Sequence, residues 1–401
     1  MKVKPVILCG GSGTRLFPGV KNNPSKQFID FGGWTLFDKT IDRIKSNIFD
    51  YPIISTNKIY KNLVLKGLKK HKIKKFKIIL EPTKKNTAPA IIASTLLNHI
   101  EINQPVLFLP SDHYISDKNK FNKIIKRSIK YLNSNNIFLF GVKPNLPRSD
   151  YGYLSIKRIN KDYDKVVNFI EKPKKHVAKK IIKKGALWNS GIFLIRKDSL
   201  INNVKKIQKK LFFGCLNSLK KVNQNKSIIN LNKKYFNKIT PISFDYAVVE
   251  KTKEINSTKL NSAWSDLGSW VEIFKILKKQ KNLSEIKKNT FHRPWGKYIN
   301  YFNGKNFLLK ELTINKKSSI SLQKHFHRSE LWTVTSGRPK ITLNDSKFYK
   351  NVGENIFIPK GAIHRIENQF SSPVKIVEAQ IGKVLKETDI VRYQDIYGRI
   401  N

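Results

Sequence analysis

The strongest constraint on this chain is the alternation of short apolar runs with stretches of helical period through its first 142 residues. PVIL (5–8), PIIST (52–56), FKIIL (76–80), PVLFLP (105–110) and IFLFGV (137–142) read as buried strands. Between them, residues 35–46, 58–70, 87–102 and 117–133 place apolar side chains at helical spacing, the first stretch behind a Thr35 cap. Such alternation predicts an α/β domain, a parallel sheet covered by helices. Ligands of these sheets bind beyond the carboxyl ends of the strands, so the residues that end the strands are the first candidates for function. Beyond about residue 290 the texture changes. KYINYF, NFLLKELTI, LWTVTSG, KITLN and IFIPKG are short, separated by turn residues and without helical period, the pattern of an all-β domain. The lysine-rich stretch at 278–290 marks the junction, and domains of 1–285 and 286–401 are expected.

Composition excludes several classes. The formal charge of +50 raises nucleic acid or an anionic membrane as partners. Lys is spread through every segment, however, and the densest run, KKHKIKKFK (69–77), reads as a helix end passing into a strand. A nucleic-acid binder concentrates its charge and interleaves aromatics, so neither nucleic acid nor membrane is expected. No apolar stretch is long enough to cross a bilayer. The apolar segment of MKVKPVILCGG is too short for a signal peptide, which predicts a cytoplasmic protein. Cys9 and Cys215 are the only cysteines, too few for a disulfide framework or a cysteine-ligated zinc.

The first apolar run enters CGGSGTRLFP (9–18). Glycines let a backbone approach phosphate closely, and Arg15 and the later Lys26 can neutralise a long anionic chain. The loop lacks both the Gly-Lys-Ser/Thr ending of a P-loop and the GxGxxG spacing of a dinucleotide fingerprint. Further polar segments follow: EPTKKNTAPA (81–90), LPSDH (109–113), DYGYL (150–154), FIEKP (169–173), WNSGIF (188–193) and WSDLGSW (264–270). By residue type alone, Asp112 could cap a helix, Lys172 be a surface lysine, Asp266 close a turn and Asn189 tie backbone groups. The tryptophans 188, 264 and 270 read as core.

Together these segments resemble the sugar-phosphate nucleotidyltransferases, in particular the long, bifunctional mannose-1-phosphate guanylyltransferases, over nearly the whole chain. The resemblance implies a Rossmann-like, GT-A-like catalytic domain followed by a cupin (jelly-roll) domain with mannose-6-phosphate isomerase character. It implies transfer of a guanylyl group from GTP to mannose 1-phosphate, with Arg15 and Lys26 on the triphosphate and Asp112 and Asp266 as ligands of Mg²⁺. Lys172 would hold the sugar phosphate, and Gly152, Glu171 and Asn189 would meet or admit the sugar. Gly10, Gly11, Gly13, Thr14, Asn86 and Ser111 would line the nucleotide. A sister enzyme using glucose 1-phosphate with UTP or dTTP is the nearest alternative, and a non-catalytic nucleotide-sugar sensor another. WNSG, EPTKKNTAPA and the β domain favour the mannose branch. The chain departs from the family pattern at Gly19, Ser25, Lys85 and Leu331.

In the second domain, Gln323, His325 and His327 stand two apart in SLQKHFHRSELW and would share one face of a strand. GENIFIPKGAIHRIEN (353–368) adds His364 in a segment that resembles the second cupin motif. His, Glu and Gln on facing strands can bind a divalent metal, zinc by family analogy. Glu330, three residues after His327, would face the opposite way under strict alternation unless a bulge or turn re-aims it. A metal-free barrel with hydrogen-bonded histidines is the plainer alternative. Active, the domain would interconvert mannose 6-phosphate and fructose 6-phosphate, with Arg365 as a phosphate or enediolate partner by residue type. The sequence leaves room for a homo-oligomer.

Overall fold

The computed structural model of the protein describes residues 1–11, 16 and 25–399. Two compact units emerge. The first holds residues 1–11, 25–29 and 35–266, the second Leu16, residues 30–34 and residues 267–399.

All five apolar runs of the first half form strands: Lys4–Cys9, Ile53–Asn57, Lys77–Glu81, Pro105–Pro110 and Ile137–Val142. They belong to a ten-stranded sheet, but that sheet is mixed rather than parallel. Ile228–Asn230, Lys77–Glu81, Ile53–Asn57, Lys4–Cys9 and Pro105–Pro110 run parallel, in that order. Leu187–Arg196 then inserts antiparallel between Pro105–Pro110 and Ile137–Val142. Ile255–Lys259 pairs parallel to Ile137–Val142, and Asp164–Ile170 and Tyr153–Arg158 complete the far edge antiparallel. The inserted strand fits because both its faces are apolar. Leu187, Phe193 and Ile195 enter the core on one side of the sheet, and Trp188, Ile192 and Leu194 the core on the other.

The helices follow their local signals. Thr35 caps Leu36–Arg43 in a reciprocal capping box with Asp38. Thr87–Thr95 stops well short of the expected 102, where Ser94 and Thr95 turn their hydroxyls back onto Ala90 O and Ile91 O. Lys118–Ile129 is capped by Asp117, not Asp112, so the capping alternative for Asp112 lapses.

In the second unit, two antiparallel six-stranded sheets enclose one core. The first runs Thr290–Arg293, Gly296–Asn303, Phe307–Ile314, Val374–Gly382, Arg328–Ser336, Asn355–Ile358. The second is built on Ser346–Tyr349, Lys340–Leu343, His364–Asn368, Leu322–His325 and Ile390–Gln394, with Ser318–Ser319 beside His364–Asn368. Trp332, Ile314 and Ile376 from one sheet meet Ile341 and Ile366 from the other. Helix Trp270–Gln280, which the expected division at 285 puts in the first domain, falls in this unit. Trp270 lies tilted against Phe307 and Phe274 meets Tyr301 edge-on, which anchors it there.

Candidate active sites

The parallel half of the first sheet ends in a cavity of about 500 Å³. Leu8, Cys9, Gly10 and Gly11 at the end of the first strand form one wall. Glu81, Thr83, Lys84, Lys85, Asn86 and Thr87, between the third strand and the next helix, form another. Asp112, His113, Gly191 and Asp245 close the far end. Of the expected nucleotide residues, Gly10, Gly11 and Asn86 line this cavity. Ser111 is buried beside it, its N–H donating to Leu8 O at 3.1 Å. Gly13, Thr14 and Arg15 lie outside the described residues. Asn86 takes a positive φ of 67° and caps the following helix, its Oδ1 accepting from Thr87 N at 2.9 Å.

Lys26 sits at the start of a short turn of helix, with Ser25 and Gln27 both bonded to Gly11 O. Its buried Nζ lies 2.7 Å from Asp112 Oδ2 and also donates to the carbonyl of Asp266. Burial raises the Asp112 carboxyl, but Lys26 and His113 outweigh it and hold the group below the usual carboxylate range. The Asp266 carboxylate is also buried and accepts from Tyr151 Oη at 2.6 Å. One ammonium thus bridges the two acidic residues expected to share a magnesium ion. Both offer the hard oxygen donors that such an ion takes.

The expected sugar residues gather around the Tyr151–Tyr153 segment. Asn189 N donates to Gly152 O at 2.8 Å, and Asn189 Nδ2 to Asp245 Oδ1 at 2.8 Å. Glu171 approaches Gly152 so closely that a β-carbon there would stand 2.5 Å from Glu171 Oε2. Only glycine permits that approach. Lys172, exposed and at φ 47°, keeps its Nζ 3.3 Å from Glu171 Oε1. Asp245, which sequence reasoning missed, links this cluster to the cavity, and burial with the nearby Glu171 pushes its carboxyl up to about 7. Its position two residues into SFDYA follows no strand, so no strand-end signal marked it.

In the second unit, His325 Nε2 lies 3.2 Å from Glu330 Oε1, and His364 Nε2 lies 3.8 Å from Glu330 Oε2. All three residues are buried, and their ligand atoms fall within 4.8 Å of one another. His325 Nδ1 faces Asp389 O at 3.2 Å and His364 Nδ1 faces Ala362 O at 2.9 Å. A carbonyl can only accept, so both Nδ1 atoms carry a proton, and both Nε2 atoms face Glu330, where a metal would take the place of any proton they hold. That is the arrangement of metal-binding imidazoles. The Gln323 amide nitrogen lies 3.5 Å from both Nε2 atoms, and rotating that amide would present its oxygen instead.

Two placements differ from expectation. His327 does not join the cluster: a turn at 326–327 ends the strand, and its Nδ1 lies 2.7 Å from Asp389 Oδ1 with the ring largely exposed. That same turn resets the alternation and brings Glu330 inward. Arg365 follows His364 on its strand and so faces away, with Nη2 3.2 Å from Gln394 O. A pocket that Gln323 and Glu330 share is instead lined by Arg293, Lys310, Arg328, Arg392 and Arg399 with Glu378 and Gln380, none of them marked by motif. Burial pushes Glu330 up, but His325, Arg328 and His364 bring it well below the usual range.

The family model for nucleotidyl transferases matches residues 4–282, and that for the mannose-6-phosphate isomerase C-terminal domain matches 279–395. Among curated proteins, the alginate biosynthesis protein AlgA of Pseudomonas aeruginosa is 29% identical over 98% of this chain and 97% of its own length. Mannose-1-phosphate guanylyltransferase of Escherichia coli is 27% identical over 100% and 99%. Among solved structures, mannose-6-phosphate isomerase from Helicobacter pylori aligns with a TM-score of 0.57 at 27% identity, covering 66% of this chain and 100% of that one. A Thermus thermophilus protein described as mannose-1-phosphate geranyltransferase gives a TM-score of 0.60 at 22% identity over 69% and 79%, a likeness of fold alone. Matched family models, full-length relatives and a glycine-walled cavity at the strand ends agree: the chain belongs to the nucleotidyl transferase family, among members that carry a mannose-6-phosphate isomerase C-terminal domain.

Proposed function

We propose that the first unit makes GDP-mannose and pyrophosphate from GTP and mannose 1-phosphate, and that the barrel interconverts mannose 6-phosphate and fructose 6-phosphate. The observation that carries the first reading is the cavity walled by Gly10, Gly11 and Asn86 with Asp112 paired to Lys26 at its end. The names of the relatives, which align with this chain over nearly their full length, support the same choice of substrates.

In the transfer, a phosphate oxygen of mannose 1-phosphate attacks the α-phosphorus of GTP, and the bond to the β-phosphate breaks to release pyrophosphate. Such transfers depend on positioning and charge neutralisation. Gly10 and Gly11 admit the nucleotide to the strand ends. Lys26 supplies a buried positive charge, and Arg15 joins it on the triphosphate. Lys172 holds the sugar phosphate, while Glu171, Asn189 and Asp245 accept or donate to sugar hydroxyls. Asp112 and Asp266 would hold Mg²⁺, which when bound neutralises phosphate charge. In the barrel, His325, Glu330, His364 and Gln323 would hold a divalent metal, zinc by analogy, whose contribution is to polarise the sugar's carbonyl or hydroxyl. The isomerisation moves a proton between the two carbons that exchange carbonyl and hydroxyl. Among the described residues no helix is long and apolar enough to cross a membrane.

Pyrophosphate release measured with GTP, UTP and dTTP against mannose 1-phosphate and glucose 1-phosphate tests the first reading. Turnover confined to UTP or dTTP with glucose 1-phosphate would replace it. A fructose 6-phosphate assay with metal analysis tests the second, and a metal-free protein inert toward the sugar phosphates would reduce the barrel to a structural module.

A further inference from the structure

Asp112 and Asp266 come from segments far apart in the chain, and a short antiparallel ribbon brings them together. Tyr114–Ile115 pairs with Trp264–Ser265, with Ser265 opposite Tyr114 and Trp264 opposite Ile115. Continued by one residue, that register sets Asp266 across from His113, next in sequence to Asp112. A ribbon of two residues per strand is marginal by itself. The helix Leu36–Arg43 adds two ties to the turn that carries Asp112. Thr40 Oγ1 lies 3.5 Å from Ser111 O, and Arg43 Nη2 donates to His113 O at 3.3 Å. These carbonyls belong to the residues on either side of Asp112. Arg43 is 2% exposed, and among the described residues no carboxylate pairs with it; its neighbour Asp42 is held by Lys118 at 2.9 Å. Burial pushes the guanidinium down to about 10, which leaves it charged at neutral pH. A buried charge without a counter-charge is costly, and an apolar side chain of similar volume would fill such a core position at less cost. The place at the end of the helix, where the dipole favours a cation, and the Phe121 ring 5.5 Å away offset part of that cost.

We infer that Arg43 is a positioning residue for the transferase metal: through the His113 carbonyl it fixes the turn that carries Asp112, and with it the spacing of Asp112 and Asp266. This assignment rests on the guanylyltransferase reading and adds to it a residue that does not line the cavity. Arg43 touches neither carboxylate, so its effect passes through the backbone of residues 111–113. Without the tie the turn relaxes, and Asp112 no longer stands where a hard cation can take one oxygen from it and one from Asp266. Groups that orient metal ligands in this way govern affinity by about 10- to 100-fold.

The test is Mn²⁺ binding to the full-length protein, read from the free-ion EPR signal in the absence of substrates, with Asp112→Asn to identify the ions held at the transferase site. Ions that Asp112→Asn still binds belong to other sites and serve as an internal standard. Arg43→Met should weaken the Asp112-dependent binding by about 10- to 100-fold and leave the standard within about twofold. In pyrophosphate release the Mg²⁺ concentration for half-activation should rise by a similar factor, while KM for mannose 1-phosphate stays within about threefold. Arg43→Lys keeps a cation and an N–H donor on a different stem, so it should lie between, about three- to tenfold weaker than the wild type. It carries the test alone where Arg43→Met does not fold. A folded Arg43→Met, or in its place Arg43→Lys, that melts earlier but keeps the wild-type Mn²⁺ affinity and Mg²⁺ dependence makes Arg43 a core residue only. That result overturns the inference and leaves the guanylyltransferase reading intact, as does a wild type in which no Mn²⁺ binding depends on Asp112. A wild type that releases no pyrophosphate from GTP and mannose 1-phosphate overturns both, and is recognised without any variant.

Discussion

Lys26 offers the sharpest test of how the transferase site is held together. Its Nζ, 2.7 Å from Asp112 and bonded to the Asp266 carbonyl, is 5% exposed, whereas the Asp112 side chain is 30% exposed. Breaking a fully buried pair by removing one partner costs about 3–5 kcal/mol. Water can reach Asp112, so about 1–3 kcal/mol is the expectation for Lys26→Met, with the lost hydrogen bond to Asp266 contributing about 1 of that. Asp112→Asn alone leaves Lys26 buried beside a neutral amide and should cost a similar amount. Removing both charges takes away the attraction and the stranded charge together, so the double variant should recover about 1–2 kcal/mol relative to the sum of the singles. Urea unfolding at pH 7.5, following the transition that GTP shifts, measures all three. Pyrophosphate release in the same proteins should fall by at least about 100-fold in each single variant, as for the loss of one charge-stabilising group. Strict additivity of the stabilities, or near-normal turnover in Lys26→Met, would refute a direct and functional pair.

Glu330→Gln and His364→Ala should each strip divalent metal from the barrel, read by elemental analysis, while His327→Ala should retain it because that ring faces Asp389. Gly152→Ala would put a β-carbon 2.5 Å from Glu171 Oε2 and 3.0 Å from the Phe169 ring. It should raise KM for the sugar phosphate more than for GTP, and an unchanged sugar KM would remove Glu171 from the sugar site. The Glu81 carboxyl keeps its proton in the folded protein to about pH 7, while the unfolded chain releases it near 4.5. The unfolded state therefore binds fewer protons in that window, and stability falls as pH rises through it. The wild type should lose about 3 kcal/mol relative to Glu81→Gln between pH 4.5 and 7.5, which paired melting curves would show.

Local signals carried much of this architecture. The five apolar runs, the Thr35 cap and the switch to short strands near 290 each depend on neighbours in sequence, and each has its counterpart in the fold. What escaped depends on partners far away. Leu187–Arg196 reads as a polar motif, WNSG, beside an apolar run, and nothing local tells that it runs antiparallel between two strands that read as parallel neighbours. Helix Trp270–Gln280 joins the β unit through aromatic contacts with residues 301 and 307, which periodicity does not record. At the candidate sites, glycines and charges at strand ends were visible because backbone direction puts them there. Asp245, Glu378 and the orientation of His327 were not, because burial and a two-residue turn decide them.

The inserted strand also bears on how the chain is made. Pro105–Pro110 and Ile137–Val142 leave the ribosome well before Leu187–Arg196, which must later lie between them. At about 5–20 residues per second, the interval from residue 110 to 187 lasts about 4–15 s. Throughout it each early strand has an open, apolar edge, and the ordinary right-handed crossover through Lys118–Ile129 favours pairing them directly with each other. A sheet paired that way would lack the antiparallel neighbour and would have to open again before the native order could form. The order of synthesis therefore predicts slower folding of the first unit from the ribosome than from the full-length unfolded chain, in which the inserted strand is present from the start.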